Sequence, residues 1–291
     1  MVARRQIRNG LLLTLLGCIL GGVGTSWRVG GQLVAPNKCA VGPVPVGMSG
    51  SSISLDTLGG MKVRGWHMPA ADAAATVILL HPIREDRRSM LGRAAMLTKF
   101  GYSTLLIDLP SHGESDGEMI TAGWRERHAV SAAVEFVKEQ NPTHRVAIVG
   151  WSLGGAAALF ASPLDVDAVV LESVYSNVTK AVHNRVSMRL GWLHHVVAPC
   201  LTVQFYLRLG VTAETLSPVD YVPLVDCPLL VLAGEKDAHT TLVESKRMYD
   251  AAVEPRQMFV FEGAAHQDLQ KYDADAYEET VIAFLGKWLV R

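Results

Sequence analysis

Between residues 76 and 263 the sequence returns repeatedly to short, almost unbroken apolar runs. These are TVILLHP (76–82), STLLIDL (103–109), RVAIVG (145–150), AVVLES (168–173), PLLVLAG (228–234) and QMFVFEG (257–263). A strand with one wet face alternates apolar and polar residues; TVILLHP and STLLIDL do not and are expected to be buried on both faces, and the other runs complete the set of strands. Helical patterns lie between them. Met90, Ala94 and Leu97 share a face that ends at Gly101, and Val130, Ala133, Val134 and Val137 share another that stops before Pro142. LGGAAALFA is a helix of small residues, and Val281, Phe284, Leu285 and Trp288 line the last helix. Strands alternating with helices require a mostly parallel central sheet covered on both faces, an α/β fold. Ahead of this pattern, residues 51–56 and 62–68 read as two strands joined through Gly59-Gly60, an antiparallel hairpin at the sheet edge.

One stretch breaks the rhythm. Residues 174–220 hold no strand pattern; Tyr175, Val178, Val182 and Val186 fall at helical spacing, and a second helix is expected from Pro199 to Gly210. A small helical cap inserted over the sheet explains this segment best, with two ordinary crossover helices as the alternative. At the other end, Arg4, Arg5 and Arg8 precede the uncharged run LLLTLLGCILGGVGTSW. A basic start followed by an apolar run near the lower limit for spanning a bilayer has three readings. It is a retained signal anchor, a cleaved export signal, or a lipoprotein signal with Leu15-Leu16-Gly17-Cys18 as lipobox. Anchoring, with the catalytic domain extracytoplasmic by the positive-inside rule, is favoured. The expected organisation is therefore a signal segment at 1–27, a Gly-, Pro- and Val-rich linker at 28–50, and a single α/β domain at 51–291.

Charge narrows the function classes. With 27 basic and 28 acidic residues, no global field favours nucleic acid. The densest internal basic cluster, Arg84, Arg87 and Arg88, contains Glu85 and Asp86 and reads as a solvated loop or helix start. Cys18, Cys39, Cys200 and Cys227 form no C-x-x-C pair and no zinc-ligand spacing, so no metal site is indicated; one bridge among the last three is open if the domain is exported. The His194-His195 pair reads as surface or cap residues.

The residues that carry chemistry centre on Gly150-Trp151-Ser152-Leu153-Gly154. A G-x-S-x-G motif is only moderately specific alone, but here it stands between a strand and a small-residue helix, the setting of a nucleophile elbow. The turn is sharp enough that side chains at Gly150 or Gly154 would meet backbone, and Ser152 is expected in strained φ/ψ space. A nucleophilic serine needs a base, and the base an orienting carboxylate. Asp237, three residues past Gly234 in LLVLAGEKD, is the favoured acid; Glu235 is weaker, and Glu172, closing AVVLES, is the runner-up. His266, three residues past Gly263, is the expected base, with no later histidine to rival it. His81 and His112 fit structural turns, and His239 is expected to begin a helix beside the acid. The oxyanion is assigned to the backbone N–H of Leu153, at its helix N-terminus, and of Ile83, because Pro82 has none.

Together HPIREDRRSM, DLPSHGESDG, GWSLGG, GEKD and GAAHQD resemble the α/β-hydrolase superfamily over roughly residues 50–291, the branch similar to dienelactone hydrolases and prolyl-oligopeptidase-like catalytic domains. In that branch the oxyanion loop usually reads His-Gly followed by Arg; here it is His81-Pro82, with Arg87 near the Arg position. Ser111-His112-Gly113-Glu114-Ser115 resembles the family's G-x-G-x-S turn, with Ser111 in place of the first Gly. The resemblance implies the chain order Ser, acid, His, and hydrolysis of a small-molecule acyl ester without metal or organic cofactor. A peptidase or amidase, a lipase or thioesterase, and a non-catalytic ligand-binding protein are the alternatives.

Overall fold

A computed structural model describes residues 2–289; within the first helix, nothing is described of the side chains of residues 2–5, 7, 8, 10–13, 15, 16, 18 and 19. The arginine side chains of the expected signal and its Cys18 thus lie outside the described residues. That helix, α1 (Val2–Val34), leads into a two-residue strand β1 (Asn37–Lys38). The body then runs through β2 (Ser51–Asp56), β3 (Lys62–Met68), β4 (Ala75–Leu80), α2 (Leu91–Lys99), β5 (Ser103–Ile107), β6 (His112–Gly113) and α3 (Arg127–Gln140). Next come β7 (Arg145–Trp151), α4 (Leu153–Ala161), β8 (Ala168–Glu172), α5 (Val178–Leu190) and α6 (His194–Leu209). The chain closes with β9 (Leu229–Gly234), α7 (Leu242–Ala251), β10 (Arg256–Phe261), α8 (Leu269–Tyr272) and α9 (Ala274–Leu289).

Eight strands form one sheet in the order β10-β9-β8-β7-β4-β5-β3-β2. From β10 to β5 every pair is parallel; β3 joins β5 antiparallel, and β2 closes the edge as the expected hairpin partner of β3. The apolar runs of the five interior parallel strands are buried on both faces, because alternate residues of one strand serve opposite cores, whereas β10 at the sheet edge is only part-buried. Ile78 and Leu80 of β4 pack with α3 and α4, while Val77 and Leu79 pack on the other side with α2 and α9. Each such fully buried aliphatic side chain contributes about 1.5–3 kcal/mol by leaving water.

Residues 28–34, read above as the start of a linker, continue α1 instead. This last part of the helix is held by the body: the Arg208 guanidinium stacks on the Trp27 ring at 3.8 Å, and Gln204 Nε2 donates to Ser26 O and Oγ at 3.0 Å. Arg84 donates to the carbonyls of Gln32 and Leu33. Among the described residues, no helix is long and apolar enough to cross a membrane. Cys39, Cys200 and Cys227 are free thiols.

Between β8 and β9 stand α5 and α6, packed together through Val182, Val186, Ala198 and Leu201. The second of them begins at His194, five residues before the expected start at Pro199, and ends where expected, at a left-handed Gly210 with φ 71°. The packing of Ala198 and Leu201 extends the helix across the proline.

Candidate active site

Five adjacent parallel strands, β10-β9-β8-β7-β4, bring their carboxyl ends to one edge of the sheet, and the candidate residues lie at that edge or in the loops that leave it. Ser152 occupies the turn from β7 to α4 with φ 50° and ψ −107°, a left-handed conformation that costs a non-glycine residue about 1–3 kcal/mol. The neighbouring glycines make this turn sterically feasible. A Cβ on Gly150 would sit 2.5 Å from Gly155 Cα, and one on Gly154 would sit 2.4 Å from the Leu80 carbonyl oxygen. Neighbouring strands pin the turn, since Ser152 N donates to Glu172 O at 2.8 Å. Ser152 itself is buried, and its Oγ has no hydrogen-bond partner among the described residues.

The loop after β9 carries Asp237 and the loop after β10 carries His266. The structure brings these two together: His266 Nδ1 lies 2.7 Å from Asp237 Oδ2. Asp237 also accepts from the backbone N–H groups of His239 and Thr240, both at 2.8 Å, and from Thr240 Oγ1 at 2.7 Å. Burial pushes its pKa up, but the bond and charge of His266 and the Thr240 donors outweigh burial and hold the carboxyl below its usual value. Asp237 is therefore an ionised acceptor in a fixed orientation, suited to hold a protonated imidazole.

The competing acids are engaged elsewhere. Glu172 is fully buried and bound by Arg93, whose Nε and Nη2 donate at 3.0 and 2.5 Å, and by the Tyr277 hydroxyl. Glu235 accepts from Gly263 N at 2.8 Å and so ties the β9 loop to the β10 loop.

The loop after β4 is built on His81. Its Nε2 accepts from Leu109 N at 2.9 Å, which leaves the proton on Nδ1 to donate to Pro82 O at 2.8 Å. Burial lowers the His81 pKa to about 4. His112 packs edge-on at 5.0 Å and is lowered to about 4 by burial and by the neighbouring His81. Ile83 follows, part-exposed, and neither its N–H nor that of Leu153 has a hydrogen-bond partner among the described residues.

The basic cluster differs from the solvated loop expected for it. Arg88 is exposed and pairs with Asp86, but Arg87 is 1% exposed. It binds Asp108, reaches Glu114 Oε2 at 2.6 Å and Gly42 O at 3.0 Å, and stacks 4.5 Å over Trp66. Its two carboxylate partners come from the turn after β5, so Arg87 clamps the loop of Ile83 to that turn.

Some residues near the site carry no motif. Thr240 bonds Asp237 and lies 3.4 Å from His266 Nδ1. His239 does not begin a helix, because α7 starts at Leu242 behind a Thr241–Glu244 capping box. Instead the His239 ring stacks on His266, with centroids 4.8 Å apart. Helix α5 lies over this loop, where Asn184 Nδ2 donates to His239 O at 3.0 Å and to Glu244 Oε2 at 2.7 Å. The only local signal is an Asp followed by small hydroxyl residues, the pattern of a side chain capping its own turn.

The Alpha/beta hydrolase family matches residues 63–280, which hold both the serine turn and the Asp237–His266 pair. The chain belongs to that family. The esterase Pf2001 of Pyrococcus furiosus superposes with a TM-score of 0.75 at 21% identity, covering 88% of this chain and 98% of the esterase. An esterase of Exiguobacterium antarcticum gives 0.59 at 15% identity, covering 80% and 98%. Among sequence relatives, the uncharacterized protein YqkD of Bacillus subtilis is 21% identical over 78% of this chain and 76% of its own length. The uncharacterized protein Rv2307c of Mycobacterium tuberculosis is 26% identical over 86% of each. This alpha/beta hydrolase thus shares the fold of those esterases.

Proposed function

We propose that this alpha/beta hydrolase cleaves carboxylic esters through an acyl-enzyme on Ser152. The observation that carries the reading is the Asp237–His266 pair, oriented at 2.7 Å on loops that leave the same sheet edge as the strained Ser152 turn. His266 Nε2 takes the proton of Ser152 Oγ as the serine attacks the ester carbonyl, and Asp237 holds the imidazolium that results. The N–H groups of Ile83 and Leu153 stabilise the oxyanion, each removed donor costing about 10²–10³ in rate. His266 returns its proton to the departing alcohol, then draws one from water, which hydrolyses the acyl-enzyme. In apo structures the serine–histidine bond is commonly loose and tightens when substrate binds. That the Pyrococcus and Exiguobacterium structural neighbours are esterases supports an ester over an amide.

The test is labelling of the full chain with a fluorophosphonate probe beside Ser152→Ala. Labelling of the wild type alone, with turnover of p-nitrophenyl esters ahead of p-nitroanilides, is the expected result. Equal labelling of both proteins would remove Ser152 from the mechanism.

For location we propose that the N-terminal segment tethers the enzyme to a membrane. The sequence supplies Arg4, Arg5 and Arg8 followed by an uncharged apolar run, and Leu20, Val23 and Trp27 stand exposed on α1. The full chain should sediment with membranes and a chain lacking residues 2–22 should not; equal partition would defeat the tether.

A further inference from the structure

A cation on the helix that lies over the Asp237 loop forms no salt bridge among the described residues. Arg185, on α5, lies partly buried where its charge acts on Asp237, Tyr175 and Glu244, and it is the first charged neighbour of His239. Its one hydrogen bond runs from Nη1 to Ala181 O of its own helix, at 3.1 Å, and it forms no ion pair among the described residues. The two nearby carboxylates are already committed. Asp237 accepts from His239 N and Thr240 N on Oδ1, and from Thr240 Oγ1 and His266 on Oδ2. Glu244 accepts from Ser176 on Oε1, and from Asn184 and both Thr241 donors on Oε2. Burial lowers the Arg185 pKa by more than the attraction of Tyr175, Asp237 and Glu244 raises it. Beside it, His239 Nδ1 is buried with no hydrogen-bond partner. A second cation, Arg189, lies one turn further along α5 and acts on both groups.

Removing water from a guanidinium without supplying an anion is costly, and its planar fork of donors fits a carboxylate or phosphate in two parallel bonds. We propose that Arg185, with His239 Nδ1 beside it, is the anion-binding subsite of the substrate pocket, so that the preferred ester carries a carboxylate or phosphate group. This rests on the ester-hydrolase reading above. Asn184 fixes the cap helix to the acid loop, so the cation is held beside the reacting groups. The ester is cleaved as before; the subsite only binds and orients the charged end.

The test compares mono-4-nitrophenyl glutarate with 4-nitrophenyl valerate, which match in acyl length and differ in the free carboxylate. Wild type should favour the glutarate ester in kcat/KM. Arg185→Gln should reduce the glutarate-to-valerate ratio by about 10- to 100-fold, the range of a charge-assisted bond, and Arg185→Lys should restore part of it. A thermal melt of each variant confirms the fold. A ratio that does not move in Arg185→Gln overturns the subsite. If neither ester is cleaved, the ester-hydrolase reading fails and the subsite is judged by binding. Calorimetry of monomethyl glutarate with Ser152→Ala should then show binding that Ser152→Ala/Arg185→Gln lacks, and equal binding by the two proteins overturns it.

Discussion

Glu172 and Asp237 follow neighbouring parallel strands and both are buried, yet they have opposite fates. Glu172 closes β8 and is locked to Arg93 and Tyr277; Arg93 also reaches Asp268 at 3.1 Å and lies 5.0 Å from the Trp151 ring. A guanidinium never gives up its proton under these conditions, so this carboxylate is structural: it braces the strand end beneath the Ser152 turn. Asp237, on the loop after β9, is paired with the His266 imidazole, a group able to take and return a proton during a reaction. On the proposed mechanism, position at the sheet edge does not make a carboxylate catalytic; its partner does.

Breaking each pair separately gives the sharpest contrast. Asp237→Asn keeps the shape but frees the imidazole to take the wrong tautomer, and kcat should fall on the order of 10³–10⁴-fold while urea unfolding stays near wild type. Glu172→Ala should do the reverse. It strands a buried guanidinium and should cost about 3–5 kcal/mol in urea unfolding, with turnover per folded molecule unchanged. A large loss of kcat in folded Glu172→Ala would give Glu172 a catalytic role and dissolve the distinction.

The sequence made this contrast only half legible. The five interior parallel strands announced themselves as apolar runs because burial on both faces removes the polar alternation, and the observed ends fall within a residue or two of the expected ones. The part-buried edge strand β10 was legible too; the two-residue β6 was not. The glycines flanking Ser152 were legible for a local steric reason. Which carboxylate serves His266 was harder, because the residues that occupy Glu172, Arg93 and Tyr277, lie 79 and 105 positions away along the chain. Arg87 was misread for the same reason: its partners Asp108 and Glu114 are 21 and 27 positions distant, and locally it sits in a run of charges. Arg185 carried no signal at all, since an arginine lacking a partner is recognised only when its surroundings are known.

Acid should reach the structural and catalytic groups in different pH ranges. His81 and His112 have folded pKa values of about 4 against an ordinary 6.5. Below pH 6.5 the unfolded chain binds protons that the folded chain refuses, so the stability these histidines support is complete above 6.5 and is lost as pH falls toward 4. Each shift corresponds to about 3 kcal/mol. Asp237 acts lower: its folded pKa lies below the ordinary carboxyl value, so its contribution is present above that value and disappears as pH falls through the folded one. Urea midpoints measured from pH 7.5 to 4 should decline, and His112→Phe should flatten the decline. An unchanged slope in that variant would mean that His112 titrates normally in the folded protein.

The smallest expected effect tests how Asp237 is held. Thr240 supplies two of the four donors on this carboxylate, one from its backbone and one from its hydroxyl. Thr240→Val keeps the volume and the backbone donor but deletes the hydroxyl, which leaves Asp237 Oδ2 with His266 alone. A hydrogen bond to a charged acceptor in a buried site contributes about 1.5–3 kcal/mol, and part of that should be regained as the carboxylate shifts toward His266. The prediction is a fall in kcat of about tenfold with KM little changed, because the hydroxyl orients the acid and does not touch substrate. A KM effect without a kcat effect would place Thr240 in the substrate pocket. No change in either would mean that the two backbone amides suffice to fix Asp237. The same deletion has no counterpart at Glu172, where the analogous neutral donor is the Tyr277 hydroxyl: Tyr277→Phe should lower stability and leave kcat alone. Thr240 and Tyr277 thus repeat, one hydroxyl each, the difference between the carboxylates they serve.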